Sequence, residues 1–251
     1  MTPDPLMTVR ADLHVHTALS PCGDDEMSPP AIVAAALAAG LDVIAVCDHN
    51  AAGNTGAVGE AAGSRLTVIS GIEITTAEEV HIVGLFPTVT AAANAADEVR
   101  ETLPVADDDY TRFFGEQYLM SADGTIYGRE PRALAMATSL SLDEAVGLIR
   151  RYGGLVIAAH IDRPTFGVIA QLGFFPYEAG FDAVELSRHV PAGSPTIDGY
   201  AAYGLPVVRS SDSHYLEDVG CVATEFDLAA PTFRELVLAL KHREGRVLTD
   251  A

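Results

Sequence analysis

Seven short apolar runs, each closed by polar residues, recur along this chain at 9–13, 42–46, 66–74, 79–86, 155–159, 182–186 and 205–208. They are rich in Val, Ile and Leu and nearly continuous, as expected of parallel strands buried on both faces. Helix-like stretches lie between them at 29–39, 141–152, 165–173, 194–203 and 231–243. Ser28 precedes the first as N-cap with Pro29 at its start, and Gly40, Gly153 and Gly204 stand where helix C-caps belong. Strand and helix alternate, so the expected architecture is a βα barrel of seven strands. Only residues 75–78 separate the third and fourth runs, which predicts a tighter connection there.

Between residue 88 and about 138 this rhythm is lost. The run Asp107-Asp108-Asp109 is followed by Tyr110, Phe113, Phe114 and Tyr118, mixing charge with aromatics without a clean period. The chain is therefore expected to form one domain over 1–251, with an insert or lid-like segment at about 88–138. Such a segment either supplies substrate contacts on the catalytic face of a barrel or is a solvated excursion with its own small helix pair.

Charge and cysteine usage narrow the partners. Asp and Glu total 35 against 15 Lys and Arg, a formal charge of −20, so long polyanions are repelled except where bound cations reverse the local field. No duplex nucleic acid is expected as a partner. Cys22, Cys47 and Cys221 are an odd number without disulfide or zinc-type spacing, which fits a reducing, cytoplasmic setting. The longest apolar tract, 31–46, is interrupted by Gly40 and Asp42 and reads as helix, turn and strand. With no basic-then-apolar leader either, no membrane association is expected. Residues 1–8 read as a frayed end.

The chemistry lies where the runs end: Asp12-Leu13-His14-Val15-His16, Asp48-His49, Glu73, His81, His160, Glu185 through His189, and Asp212-Ser213-His214. Strand ends of a closed barrel converge on one mouth, so residues scattered in sequence meet in space. His14 and His16 project from one face of a strand, a spacing that suits chelation of a single ion. Asp12 beside them is placed to orient an imidazole through its second nitrogen. A carboxylate at Glu73 can bridge two cations. His81 and His160, each alone, read as core histidines satisfied by backbone, and Asp212 with His214 as a polar strand end. Of the eight histidines, only His242 in Lys241-His242-Arg243 lies outside the strand-end set. The joint pattern is a nitrogen and oxygen ligand set suited to Zn, Mn or Fe(II).

These motifs, in this order, resemble the polymerase and histidinol phosphatase (PHP) superfamily of metal-dependent phosphoesterases, over nearly the whole chain outside 88–138. The first motif is similar to His14 and His16, the second to Asp48-His49-Asn50, and the bridging glutamate to Glu73 in Gly71-Ile72-Glu73. His81 in His-Ile-Val-Gly and His160 in Ala-His resemble the second metal's imidazoles, and Asp212-Ser213-His214 the last motif. The resemblance implies a distorted TIM-like (βα)7 barrel with a trinuclear metal centre, two or three divalent ions, at the C-terminal ends of the strands. By that likeness His14, His16, Glu73 and Asp212 hold the first ion, Glu73, His81 and His160 the second, and His49 and His214 the third. Relatives commonly carry Ser-Asp-Gly after the first motif, whereas this loop reads Ser20-Pro21-Cys22-Gly23-Asp24-Asp25. Counting back from Ser28-Pro29 places Asp24 on the relatives' Asp, and counting forward from His14 points nearer Cys22. Asp24 is the expected ligand, because carboxylate suits the rest of the set.

The expected function is that of a phosphatase on small phosphorylated substrates: nucleotides, sugar phosphates, or amino-alcohol phosphates such as histidinol phosphate. A hydroxide bridging the first two ions is the expected nucleophile, since metal coordination brings the pKa of water to about 7. Glu73, Asp212 and His160 are the expected catalytic residues, with Arg163 on phosphate oxygens. Arg188 and Arg209 are further candidates, or simply partners of nearby acids. A rival within the enzyme class is exonuclease-like cleavage of short oligonucleotides, for which Tyr110, Phe113, Phe114 and Tyr118 either stack bases or form the core of the insert. A reading of another class is a non-catalytic metal-binding or partner-docking domain. A serine hydrolase is not indicated, because no Gly-x-Ser-x-Gly elbow is present.

Overall fold

The structure, a computed structural model, describes residues 5–191, 193, 194, 197, 199, 200 and 203–250. All seven apolar runs are strands: β1 (Met7–Val15), β2 (Val43–Val46), β3 (Thr67–Thr75), β4 (His81–Phe86), β7 (Leu155–Ala158), β8 (Ala183–Leu186) and β9 (Val207–Arg209). The 88–138 segment contributes a separate hairpin, β5 (Tyr118–Met120) and β6 (Ile126–Arg129), and the C-terminal part adds β10 (Thr224–Leu228) and β11 (Val247–Asp250). The main sheet therefore has nine strands, in the order β11-β10-β1-β2-β3-β4-β7-β8-β9. It curls until the segment after β9 meets β1: Val15 forms a parallel bridge with Ser213, and the His16 N–H donates to the Ser213 carbonyl at 3.0 Å.

Strict βα alternation is not what forms. β4 runs antiparallel to both β3 and β7, because the five residues 76–80 between β3 and β4 can close a hairpin but not a crossover of a dozen or more residues. β10 and β11 escape the apolar-run reading because β10, Thr-Glu-Phe-Asp-Leu, alternates buried and half-buried positions, the signature of an antiparallel strand with one wet face.

Seven α-helices lie among the described residues: α1 (Pro29–Ala38), α2 (Thr55–Ala62), α3 (Val89–Arg100), α4 (Asp108–Phe114), α5 (Leu142–Arg151), α6 (Val168–Leu172) and α7 (Phe233–Leu240). α5 carries a full capping box between Ser141 and Glu144. Ser28 precedes α1 but makes no capping bond; Pro30 at the second helical position has no N–H to give it. The helix expected at 165–173 is reduced to α6, and the one expected at 194–203 falls largely on residues outside those described. α3 lies in the segment where no period was read. Its apolar stripe is Ala92, Ala95 and Val99, too small to register as hydrophobic periodicity yet fully buried against β3 and β4.

Two apolar layers fix which way each strand points. The inner one includes Leu13, Cys47, Val83, Leu85, Ile157, Ala183 and Val208; the outer one includes Ile72, Ile74, Ile82, Val156 and Val184 under α3 and α5. Strand period is two, so Cys47 to His49, Gly71 to Glu73, Val83 back to His81, and Ala183 to Glu185 continue the inward register. β1 needs one correction of register. Leu13 is inward and Val15 outward with Val46 and Val58, and the pairing with β2 shifts between Asp12 and Val15. That irregularity aims His14 and His16 into the mouth, a common use of a bulge beside a site.

Candidate metal centre

Glu73 is the hub. Its side chain is 1 % exposed and faces five imidazoles: Oε1 lies 2.8 Å from His81 Nδ1, 3.2 Å from His160 Nε2 and 3.5 Å from His14 Nε2. Oε2 lies 2.7 Å from His49 Nδ1 and 3.6 Å from His16 Nε2. Asp212 Oδ1 closes the other side, 3.1 Å from His16 Nε2 and 3.6 Å from His14 Nε2. His214 stacks on His16 with ring centroids 4.0 Å apart. His81 joins the group from the start of β4, since an antiparallel strand begins at the rim where its neighbours end.

Burial would raise the Glu73 carboxyl, but His81, His14 and His49 hold it well below the usual carboxylate range. Burial likewise opposes charge on His14, and Glu185, Glu73 and Asp212 overcome it and raise that imidazole. His16 is driven down by burial, with His214 and His49 beside it, and burial takes His81 to about 4 despite Glu73.

The donor chemistry fits cations. His14 Nε2 and His16 Nε2 face each other at 3.1 Å; two lone pairs so placed repel unless a proton or cation sits between them. His160 Nδ1 is buried without a hydrogen-bond partner. Among the described residues, three sets of donor atoms fall mutually within 4.8 Å: His14, His16, Glu73 and Asp212; His49, Glu73 and His81; and His16, His49 and His214. Backbone strain gathers here as well. Asn50, His160 and Asp212 adopt positive φ of 51°, 26° and 49°, a conformation non-glycine residues hold only when their surroundings dictate it.

A supporting shell orients these groups. Glu185, buried on β8, takes His14 Nδ1 with both oxygens at 3.1 Å and the backbone N–H of His160 at 3.2 Å. This is the role expected of Asp12, which touches no imidazole and instead accepts the N–H groups of Ser211 and Gly220, each at 3.0 Å. Its carboxylate ties the loop bearing Asp212 to β1. Asp48 accepts the Thr17 N–H and both the Thr17 and Ser20 hydroxyls, and Ser20 Oγ meets His16 Nδ1 at 2.9 Å. Asn50 donates to the Leu134 and Met136 carbonyls, and Asn54 donates to the Tyr118 carbonyl, so both side chains pin the 88–138 segment beside the mouth. The one sequence signal for Glu185 is a single acid at the inward register of an otherwise apolar run.

Four expected participants stand elsewhere. Asp24 is not drawn into the cluster: its Oδ1 accepts the Glu26 N–H at 2.8 Å. Successive turns, Ser20 N–H to Thr17 carbonyl and Gly23 N–H to Ser20 carbonyl, bring Cys22 to His49 and His214 instead. Burial raises the Cys22 thiol, but the His49 charge and hydrogen bonding with His214 and His49 bring it to about 6. His189 is exposed. Arg209 is buried with its guanidinium on the Val190 carbonyl, and Arg188 pairs with Asp218. Arg163 does reach the rim, with Nη1 2.7 Å from Asp212 Oδ2.

Comparison with known proteins agrees with this geometry. The PHP domain family model matches residues 12–164, and a PHP-associated model matches 197–244. A 5′-3′ exoribonuclease of Haemophilus influenzae is 31 % identical over 193 residues, covering 61 % of this chain and 69 % of the relative. The lesion-specific endonuclease Q of Pyrococcus furiosus superposes with a TM-score of 0.72 at 19 % identity, over 96 % of this chain and 58 % of that one. An endonuclease Q complex with a 27-mer duplex bearing an abasic lesion gives a TM-score of 0.70 at 19 % identity, with the same coverages. This chain thus spans 58 % of the length of the endonuclease Q structures.

The exclusion of duplex nucleic acid is overturned by that complex, in which a protein sharing this fold over 58 % of its length binds a duplex. Net charge averages over the whole surface, whereas a polyanion responds to the field where it docks. Among the described residues, no helix is long and apolar enough to cross a membrane.

Proposed function

Since this chain belongs to the PHP domain family, we propose that it is a metal-dependent phosphoester hydrolase that releases nucleotides from the end of a short oligonucleotide. The carrying observation is the buried meeting of His14, His16, Glu73 and Asp212 within 4.8 Å of one another. In this reading those four residues would hold one ion; Glu73 with His49, His81 and His160 would hold a second, and His16, His49 and His214 a third. Bound there, divalent ions supply Lewis acidity that neutralises phosphate charge and makes water a nucleophile near neutral pH.

The chain's own residues do the rest. Glu185 keeps a proton on His14 Nδ1, so that Nε2 faces the cluster, and the Asp48–Ser20 pair orients His16 in the same way. Arg163, 30 % exposed and anchored on Asp212, offers its remaining N–H groups to a phosphate oxygen. The buried depth of the donors favours a terminal phosphate over one in mid-strand. Two observations support an oligonucleotide. The relative 31 % identical to this chain is an exoribonuclease, and α4, whose C-cap Gly115 sits against the Pro21 carbonyl, carries Phe113, 81 % exposed. A second reading, hydrolysis of a small phosphomonoester, is favoured by the charge of −20, which penalises long anions more than short ones.

Incubating metal-reconstituted protein with a 5′-phosphorylated oligoribonucleotide, an abasic duplex and a nucleoside monophosphate, followed by product analysis, decides between them. Stepwise release of mononucleotides is expected, and Glu73→Gln is expected to lose metal and turnover together. Cleavage of the monophosphate alone moves the assignment to the second reading. A metal-loaded protein inert on all three removes the hydrolase reading.

A further inference from the structure

The residues after β7 fold back over the rim of the cluster, and one of them is held there at a conformational cost. The Arg163 N–H donates to the His160 carbonyl at 2.9 Å, starting a tight turn. At Gly167 a Cβ would stand 2.8 Å from the Arg163 carbonyl oxygen and 3.1 Å from that of His160, so the loop closes only with glycine there. This closure leaves Phe166 in left-handed backbone, φ 60°, an outlier for so bulky a residue. Its carbonyl accepts the His81 N–H at 2.9 Å. Its ring lies on the His81 imidazole, with centroids 4.4 Å apart and planes 18° from parallel.

The ring is not used for core packing. Phe166 belongs to none of the buried apolar clusters among the described residues, although its neighbours Val168 and Ile169 do. It is 39 % exposed. The ring therefore covers the imidazole of a candidate metal ligand while staying partly exposed, and Arg163, three residues earlier in the same turn, is paired with Asp212. A flat uncharged ring at the rim of a phosphate-binding cluster offers a bound nucleotide a surface to stack on, and every base has a π face that stacks without regard to sequence.

Resting on the nucleotide reading above, we propose that Phe166 is a stacking platform for the nucleobase adjoining the scissile phosphate, and so a specificity-determining residue that separates base-bearing from base-free phosphoesters. The chemistry is carried by the cluster; Phe166 places the substrate.

The test compares wild type with Phe166→Leu and Phe166→Trp on a short oligoribonucleotide and on the same oligomer with an abasic ribose at its 5′ end. A second readout is the fluorescence of an oligonucleotide with 2-aminopurine at its 5′ end, which is quenched on stacking. Phe166→Leu is expected to raise KM for the oligonucleotide roughly 5- to 100-fold, with kcat and metal content near wild type, no change on the abasic oligomer, and no quenching. Phe166→Trp is expected to restore both. Equal KM and quenching in wild type and Phe166→Leu overturn the platform alone. Loss of metal in Phe166→Leu also overturns it, showing a ring that merely shields His81. Wild-type protein that releases phosphate from a nucleoside monophosphate and leaves both oligomers intact removes the oligonucleotide reading and the platform with it.

Discussion

Glu185 is the most telling place to perturb the site, because it touches no candidate ion set directly yet decides how two members present themselves. Its carboxylate, 1 % exposed, accepts from His14 Nδ1 at 3.1 Å and from the His160 backbone N–H at 3.2 Å. Glu185→Gln keeps the shape and one acceptor oxygen but removes the charge that makes His14 a stronger ligand. Loss of such an outer partner costs 10- to 100-fold in metal affinity, about 1.4–2.7 kcal/mol. Glu185→Ala is harsher, since it leaves two buried N–H donors unpaired at about 1–3 kcal/mol each, or about 2–6 kcal/mol of stability. Zn(II) or Mn(II) titration of metal-free protein in competition with a chromophoric chelator reads the first effect, and urea unfolding of metal-free protein reads the second. A Glu185→Gln variant binding metal within twofold of wild type would refute the view that Glu185 orients His14.

Three further outcomes are expected. Asp24→Ala should leave the metal count per chain unchanged, while metal loading should slow alkylation of Cys22; an ion lost from Asp24→Ala would return the carboxylate to the third set. Gly71→Ala puts a Cβ 2.5 Å from Cys47 Sγ and 2.9 Å from the Val46 carbonyl oxygen in mid-sheet, so it should lower stability by about 1–3 kcal/mol, and an unchanged Tm counts against the packing described. Far from the cluster, hydrogen bonding to Arg246 lowers the Glu235 carboxyl below its ordinary 4.5. The pair therefore contributes stability above that value and loses it as the pH falls through the lower folded value. Glu235→Gln should cost about 1–2 kcal/mol at pH 7, the gap from wild type narrowing below pH 4.5; a gap unchanged at pH 3 would reject the pair.

The sequence by itself determined the seven main strands, the α/β class and most of the groups that converge. The seven main strands are near-continuous apolar runs because buried strands admit little else, and Glu73, His81, His160 and Asp212 stand out because an ionisable residue at the end of such a run needs partners to be tolerated. Tertiary structure alone decided what depends on neighbours distant in sequence. β4 reverses direction, a register shift in β1 turns His14 and His16 inward, Glu185 rather than Asp12 meets His14 Nδ1, and the turns after Thr17 bring Cys22 and not Asp24 against His49 and His214. Hydropathy records whether a position is buried. It does not record which of two acids a buried imidazole meets, because that follows from strand order and register, which pair residues as far apart as His14 and Glu185.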